Sequence, residues 1–314
     1  MAGLIKKHFP KSTIVFLGRN YTKDVIALSK HVDEFINYDD LEKLSLQERI
    51  AELKKINADV FVHVFPKKEI AQLAKSAGIP TRVGTKNRIY HWLTCNKLIN
   101  LSRKNSDLHE SQLNFKLLSF LNIETSISLT AVSDYYGFTK IPILNSDHAQ
   151  LLDPNKFNVI LHPKSKGSAR EWGLGNFEKL IELLPKEKFK IFISGTGQEG
   201  KLMPELLKNK NIIDLTGKLS LQQYISFINA ANGLVAASTG PLHIAAALNK
   251  KAIGLFVPKR PMHPGRWMPI GKNATYVVFD RDCVDCKNGK DCNCIIKINP
   301  KQIVDLLEQT NERI

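Results

Sequence analysis

Short β-branched and aliphatic runs recur along the chain, separated by stretches in which apolar residues return every three or four positions. The runs STIVFLG, ADVFVHVF, FNVILHP, FKIFISG, NIIDLTG, GLVAAS and KAIGLFV read as buried strands, and NFEKLIELLP and SLQQYISFINAA as amphipathic helices. Strands alternating with helices predict parallel sheets with crossover connections, an α/β architecture. The least regular stretch, residues 137–156 (GFTKIPILNSDHAQLLDPNK), holds two prolines, Asn-Ser-Asp and Asp-Pro-Asn, and reads as a linker. The expected division is therefore a sheet domain over residues 1–148, a second over 149–298 and a C-terminal helix over 299–314. A ligand is expected in a cleft between the domains, at the carboxyl ends of the strands.

Composition narrows the class. At 314 residues the chain has room for two cores, and 43% hydrophobic with 24% charged residues is ordinary for a soluble globular protein. No apolar run approaches the roughly 20 residues that span a bilayer. The opening MAGLIKKHFP lacks the apolar core and cleavage site of a signal peptide, so a cytoplasmic location with reduced cysteines is expected. A formal net charge of +15 favours an anionic partner: nucleic acid, a phospholipid surface or a phosphorylated small molecule. Without an RNA-binding signature, zinc finger or Arg-rich tail, nucleic acid is not expected.

Candidate chemistry clusters in the second half. ASTGPLHIAAAL, from Ala237 to Leu248, follows the strand GLVAAS with a tight turn and a helix. Ser238 or Thr239 is placed to cap that helix, Gly240 to admit a ligand to the backbone, and Pro241 at the first helical position. The first N–H groups of such a helix have no internal partners and the helix dipole adds to them, so the tip suits an anion. The alternative is a capped core helix with His243 satisfied internally. HPKSKGSAREW, His162 to Trp172, crowds Lys164, Lys166 and Arg170 with Ser165 and Ser168 into a loop after a strand, which suits phosphate or is simply a solvated basic loop.

Three further patterns compete for attention. GTGQEG places Gly195, Gly197 and Gly200 in the G-x-G-x-x-G spacing, with Asp214 where a ribose-binding acid is sought, the mark of a nicotinamide-dependent oxidoreductase. Against it, these glycines follow the domain's second strand, and Pro204 cuts the next helix short. CVDCKNGKDCNC spaces Cys283, Cys286, Cys292 and Cys294 as C-x2-C-x5-C-x-C, a candidate structural zinc site or a set of free or redox-active thiols, whereas Cys95 stands alone as a packing residue. In the first half, Lys86, Arg88, Lys97, Arg103 and Lys104 lie among Tyr90, His91 and Trp92, suiting a phosphorylated, partly apolar partner at a membrane surface or a solvated loop. His63, inside FVHVF, faces either the cleft or the core.

With HPKSKGSAREW leading into NFEKLIELL, and with ASTGPLHIAAAL, the chain resembles the heptosyltransferases of lipopolysaccharide core assembly, glycosyltransferase family 9. ADVFVHVF, GIPTRVGTKNR and LHESQLNFKLL are similar to that family's first domain, so the resemblance covers nearly the whole length. It implies the GT-B fold, two Rossmann-like domains facing across a cleft. It also implies inverting transfer of a heptose or related sugar from an ADP-sugar to a phosphorylated lipid A/inner-core acceptor, with no required cofactor or metal, at the inner-membrane surface. By this comparison Ser238, Thr239, Gly240 and His243 meet the donor, Lys164, Ser165 and Arg170 neutralise its pyrophosphate, and Gln222 contacts its nucleoside. Lys86, Arg88, Lys97, Arg103 and Lys104 are the acceptor side. Some family members carry Asp where Ser238 stands, which bears on the donor sugar.

The family opens on a strand and a Gly-Asp turn whose aspartate is the general base, then a helix leading to Phe-Pro. Here Phe9-Pro10 stands close to Met1. That aspartate is expected upstream of Met1, and no residue of this sequence takes its role. A chain that binds nucleotide-sugar without turnover remains an alternative.

Overall fold

The computed structural model describes residues 1–103, 106–290 and 292–309, and the chain divides into two units, Met1–Gly137 and Phe138–Ile314. In the first unit, β1 (Val15–Gly18) pairs in parallel with β2 (Glu34–Asn37), and β3 (Val60–Val62), β4 (Thr81–Thr85) and β5 (Lys97–Ile99) form a parallel three-stranded sheet in that order. The helices Leu46–Lys55 and Lys68–Ser76 cover them; the first begins in a capping box in which Ser45 and Glu48 satisfy each other's backbone N–H. Leu53, Leu73, Ala74 and Ile79 make one buried cluster, and Leu17, Ile36 and Phe61 pack against it, so both sheets share a single helical layer.

The second unit is built on six strands: β6 (Phe157–His162), β7 (Phe189–Ile193), β8 (Ile212–Asp214), β9 (Gly233–Ala237), β10 (Lys251–Phe256) and β11 (Ala274–Val278). Every pairing is parallel, and the order is β11-β10-β9-β6-β7-β8. The chain winds outward from β6 to β8, then returns to the other side of β6 with β9. Helices Leu174–Leu183, Leu221–Ala230 and Gly240–Ala247 lie on the crossovers. Val159, Leu161, Phe177, Leu180, Ile191, Val235 and Ile253 form a continuous core, which is why the central strands are apolar on both faces.

The helix Pro300–Glu308, capped by the Asn299 side chain, delivers Ile303, Val304 and Leu307 to that same core. The described part of the expected C-terminal helix therefore belongs to the second unit. The linker-like stretch straddles the division between units, and the expected boundary at 148 lies inside the second. From Phe138 onward its backbone is tied to the helix Leu221–Ala230: Gln223 Oε1 accepts from Asn145 N–H at 2.9 Å, and Ser226 Oγ donates to Pro142 O at 2.7 Å.

All seven strand-like runs contain strands. The pattern passed over β2, β4, β5 and β11. β5 has only three residues, and the other three carry polar or charged residues at an edge or near strand ends, so none presents a long apolar run.

Candidate functional site

The winding of the second sheet reverses between β6 and β9, and in open α/β sheets the crevice beyond the carboxyl ends of two such strands is where ligands bind. Two strands separate β6 from β9 in sequence, but they are neighbours in the sheet, with His162 opposite Ala236. The loop after β6 and the helix tip after β9 therefore leave the same rim side by side. That neighbourhood is not legible in the sequence, where the two motifs stand far apart.

At the tip, Thr239 is the N-cap of the helix Gly240–Ala247, but its side chain makes no capping bond. Its Oγ1 is buried and has no hydrogen-bond partner among the described residues. Ser238, the other expected cap, precedes it half-buried. Pro241 sits in the first turn, as expected. A Cβ built on Gly240 would meet no atom within 4 Å, so the approach to the first N–H groups is open. A buried hydroxyl left without a partner costs roughly 1–3 kcal/mol, a cost that an incoming acceptor oxygen removes. His243, one turn along, is half-buried and engaged.

The loop after β6 is braced by a residue the sequence reading overlooked. Glu171 accepts from Ser165 N–H at 3.0 Å and from Lys164 Nζ at 2.5 Å, and Ser165 Oγ, itself buried, donates to Ala169 O at 2.8 Å. Ser168 N–H closes a turn onto Ser165 O, with Lys166 and Gly167 both at positive φ, +48° and +77°. This hairpin-type turn leaves Lys166 exposed at its tip. Lys164 is thus held, with its charge balanced, by a carboxylate of its own loop, and Arg170 in the same loop is half-buried and engaged. Trp172, fully buried, donates from Nε1 to Ile298 O at 3.0 Å and anchors the loop's far end.

The glycine-rich segment after β7 is put to another use. Thr196 caps the single turn Gly197–Gly200, and Glu199 folds back on Thr196 N–H, so a carboxylate already occupies the place a pyrophosphate would need. Gly217, at φ +69°, comes so near Gly197 that a Cβ there would lie 2.9 Å from its Cα, and Asp214 accepts from Thr216 N–H and Oγ1. These glycines serve close backbone packing, and Asp214 is committed to its own turn, so the nicotinamide reading loses its physical basis. A concavity of about 380 Å³ lies between this turn and the β6 loop, lined by Lys164, Lys166, Gly167, Glu171, Gln198 and Glu199. At the carboxyl ends of β6 and β7, His162 Nδ1 and Ser194 Oγ, both buried, and the half-buried Tyr224 OH form a chain at 2.9 and 2.7 Å, and desolvation holds His162 below the usual histidine range. Gln222 is exposed in the first turn of the helix that follows β8, hence on the same rim.

A third basic loop, missed by the sequence reading, leaves this rim after β10. Lys259, Arg260, His263 and Arg266 lie there, and Arg266 stacks on Trp267 at 5.2 Å. The available signal was KRPMHPGRW directly after the strand KAIGLFV.

In the first unit the proposed acceptor residues are not equivalent. Lys86 and Arg88 are exposed at the carboxyl end of β4. Lys97 starts β5 opposite Val83, away from them along the strand. Arg103 is a brace: it pairs with Glu110 at 2.6 Å and donates to Val64 O and Asn114 Oδ1. Its charge is thus matched within the fold by Glu110, and the side chain holds two segments together. Lys104 lies outside the described residues. His63 points into the core, beside His91 at 5.2 Å between rings. Cys95 is buried, as a packing residue should be, and the other four cysteines converge on one another.

The fold and rim define an α/β protein with a doubly wound parallel sheet and an open, uncapped helix tip. Residues 51–295 match glycosyltransferase family 9 (heptosyltransferase), and the chain belongs to that family. It is 24% identical over 295 residues to a putative glycosyltransferase of Haemophilus influenzae, covering 88% of this chain and 82% of that one. It is 27% identical over 222 residues to lipooligosaccharide heptosyltransferase 2 of Campylobacter jejuni, covering 66% of each. The structure of Escherichia coli ADP-heptose lps heptosyltransferase II matches 98% of this chain and 91% of its own, with a TM-score of 0.71 at 17% identity. The fold is thus that of the GT-B glycosyltransferases, and the chain is a glycosyltransferase by family.

Proposed function

We propose that this chain transfers a heptose or a related sugar from an ADP-sugar to a phosphorylated lipid A/inner-core acceptor in lipopolysaccharide synthesis, with inversion and without a required metal. The observation that carries the reading is the uncapped tip at Thr239 and Gly240, with its unpartnered buried hydroxyl, beside the Lys164 loop at the sheet's reversal point. Departure of ADP builds negative charge on the diphosphate, and fixed N–H groups with nearby cations stabilise it without reorganising. In this role Thr239 and Gly240 receive the phosphates, with Ser238 and His243 alongside. Lys164 exchanges Glu171 for a phosphate oxygen, Arg170 adds charge and Gln222 lies toward the nucleoside.

The test is calorimetry with ADP, followed by transfer from ADP-heptose to a heptose-deficient core acceptor. Binding is expected, weakened about tenfold or more by Lys164→Ala, which removes a charge-assisted contact. Failure to bind ADP overturns the reading, and binding without transfer favours the binding-only alternative.

Support for the membrane side comes from the helix Ile89–Thr94, whose Ile89, Trp92 and Leu93 are 85%, 63% and 73% exposed beside Lys86 and Arg88. Exposed large apolar residues next to cations fit an anionic lipid surface. No described helix is long and apolar enough to cross a membrane. Co-sedimentation with vesicles containing anionic lipid is expected to fall at least tenfold in Trp92→Ser/Leu93→Ser, since a fully covered apolar side chain contributes roughly 1.5–3 kcal/mol and partial covering of the two still exceeds the roughly 1.4 kcal/mol that a factor of ten requires. Unchanged sedimentation would remove this face from the membrane contact.

A further inference from the structure

The cysteines near the C-terminus take no part in the proposed transfer, yet the fold gathers all four. Cys283 precedes the one-turn helix Val284–Lys287 that carries Cys286, Gly289 turns the chain back at φ +75°, and Cys294 leads into the short turn Ile295–Lys297. The ligating sulfur atoms all lie within 4.8 Å of one another. Cys292 Sγ is 3.7 Å from Cys283, 2.8 Å from Cys286 and 3.2 Å from Cys294, and Cys286 is 3.5 Å from Cys294.

From these distances we infer that Cys283, Cys286, Cys292 and Cys294 bind one Zn²⁺ ion as a structural tetrathiolate site. Four sulfurs at about 2.3 Å from a tetrahedral zinc stand about 3.8 Å apart, close to the spacing found. A polynuclear iron–sulfur cluster, whose thiolates ligate different irons, holds its sulfurs further apart. Two disulfides would need two separate pairs, each about 2.05 Å across. Here Cys292 is instead close to all three others, so the set has one centre and no natural partition into pairs. Cys286 and Cys294 belong to the buried core, and Cys283 and Cys292 pack against it. Four thiolates this close together, two of them buried, are tolerable only with a cation among them, and binding releases their protons to solvent.

The site has a place to act. Ile295 and Ile298, just past Cys294, are in the core, Ile298 O accepts from Trp172 Nε1, and Ile296 O accepts from Asn176 Nδ2 at 2.8 Å. A metal that fixes residues 283–294 therefore fixes the support on which Trp172 and the end of the β6 loop rest. This consequence alone depends on the proposed function; zinc binding does not.

The experiment is elemental analysis of the full chain, purified under reducing conditions without added metal, with intact mass and zinc X-ray absorption on the same sample. The expected result is about one zinc per chain in an all-sulfur shell at about 2.3 Å. Cys292→Ser, at one of the two half-exposed members, should lose the zinc and melt at lower temperature, whereas Cys95→Ser keeps a full equivalent. Zinc-free protein, iron in its place, disulfides in the intact mass, or full zinc in Cys292→Ser would each overturn the inference. Should the variant not fold, the stoichiometry and sulfur shell of the unaltered chain decide the matter. ADP binding is scored separately, so loss of the zinc inference and loss of the transferase reading are distinguishable.

Discussion

Gly240→Asp is expected to weaken ADP binding by about a hundredfold, equivalent to about 2.7 kcal/mol, while leaving the melting temperature unchanged or slightly raised. The two effects have opposite sign for one reason. Gly240 opens its helix and a Cβ there meets nothing within 4 Å, so the fold accepts the side chain. A carboxylate in the first turn of a helix is favourable by roughly 0.3–1 kcal/mol. The same carboxylate takes the N–H groups intended for the diphosphate and repels it. Gly240→Ala separates bulk from charge and should stay within a few-fold of the original affinity. Calorimetry and a thermal melt on both variants give the answer, and undiminished ADP affinity in the aspartate variant would mean that the tip holds no phosphate.

The second domain was legible because its chemistry is written in contiguous segments. FNVILHP, GLVAAS and KAIGLFV are strands because both faces of a central parallel strand must be apolar, and each is followed at once by its loop. What stayed hidden depends on contacts across the fold. That β6 and β9 are neighbours follows from the order in which strands join the sheet, which no local pattern encodes. Glu171 reads as one more polar residue until it is found between Ser165 N–H and Lys164. Arg103 reads as a free cation until Glu110 is placed beside it. The glycine spacing misleads in the other direction, because close packing of Gly197 on Gly217 and phosphate binding both ask for the absence of a side chain.

Acidification from pH 7 toward pH 4 is expected to destabilise the first unit well before its carboxylates titrate. His63 is only 3% exposed, between Phe61 and His91, and its Nε2 and that of His91 are buried without partners among the described residues. Thr85 N–H lies 2.9 Å and Thr85 O 3.2 Å from His91 Nδ1, so the neutral ring accepts from the one where a protonated ring would donate to the other. Burial, with His91 close by, pushes His63 down from 6.5 to about 4, and burial lowers His91 as well. The unfolded chain therefore takes up protons first: the stabilisation is complete above about pH 6.5 and is lost as the pH falls toward the folded value. For His63 alone the window is worth about 3 kcal/mol at 1.36 kcal/mol per pH unit. His63→Leu, which cannot take up the proton, should flatten much of that dependence while keeping an apolar group against Phe61. Hydrogen exchange at the Val83 and Thr85 amides, compared at pH 7 and pH 4.5 after correction for intrinsic rates, reads the change directly. Equal protection at the two pH values in the unaltered chain would show that the histidine pair gives this unit no acid sensitivity.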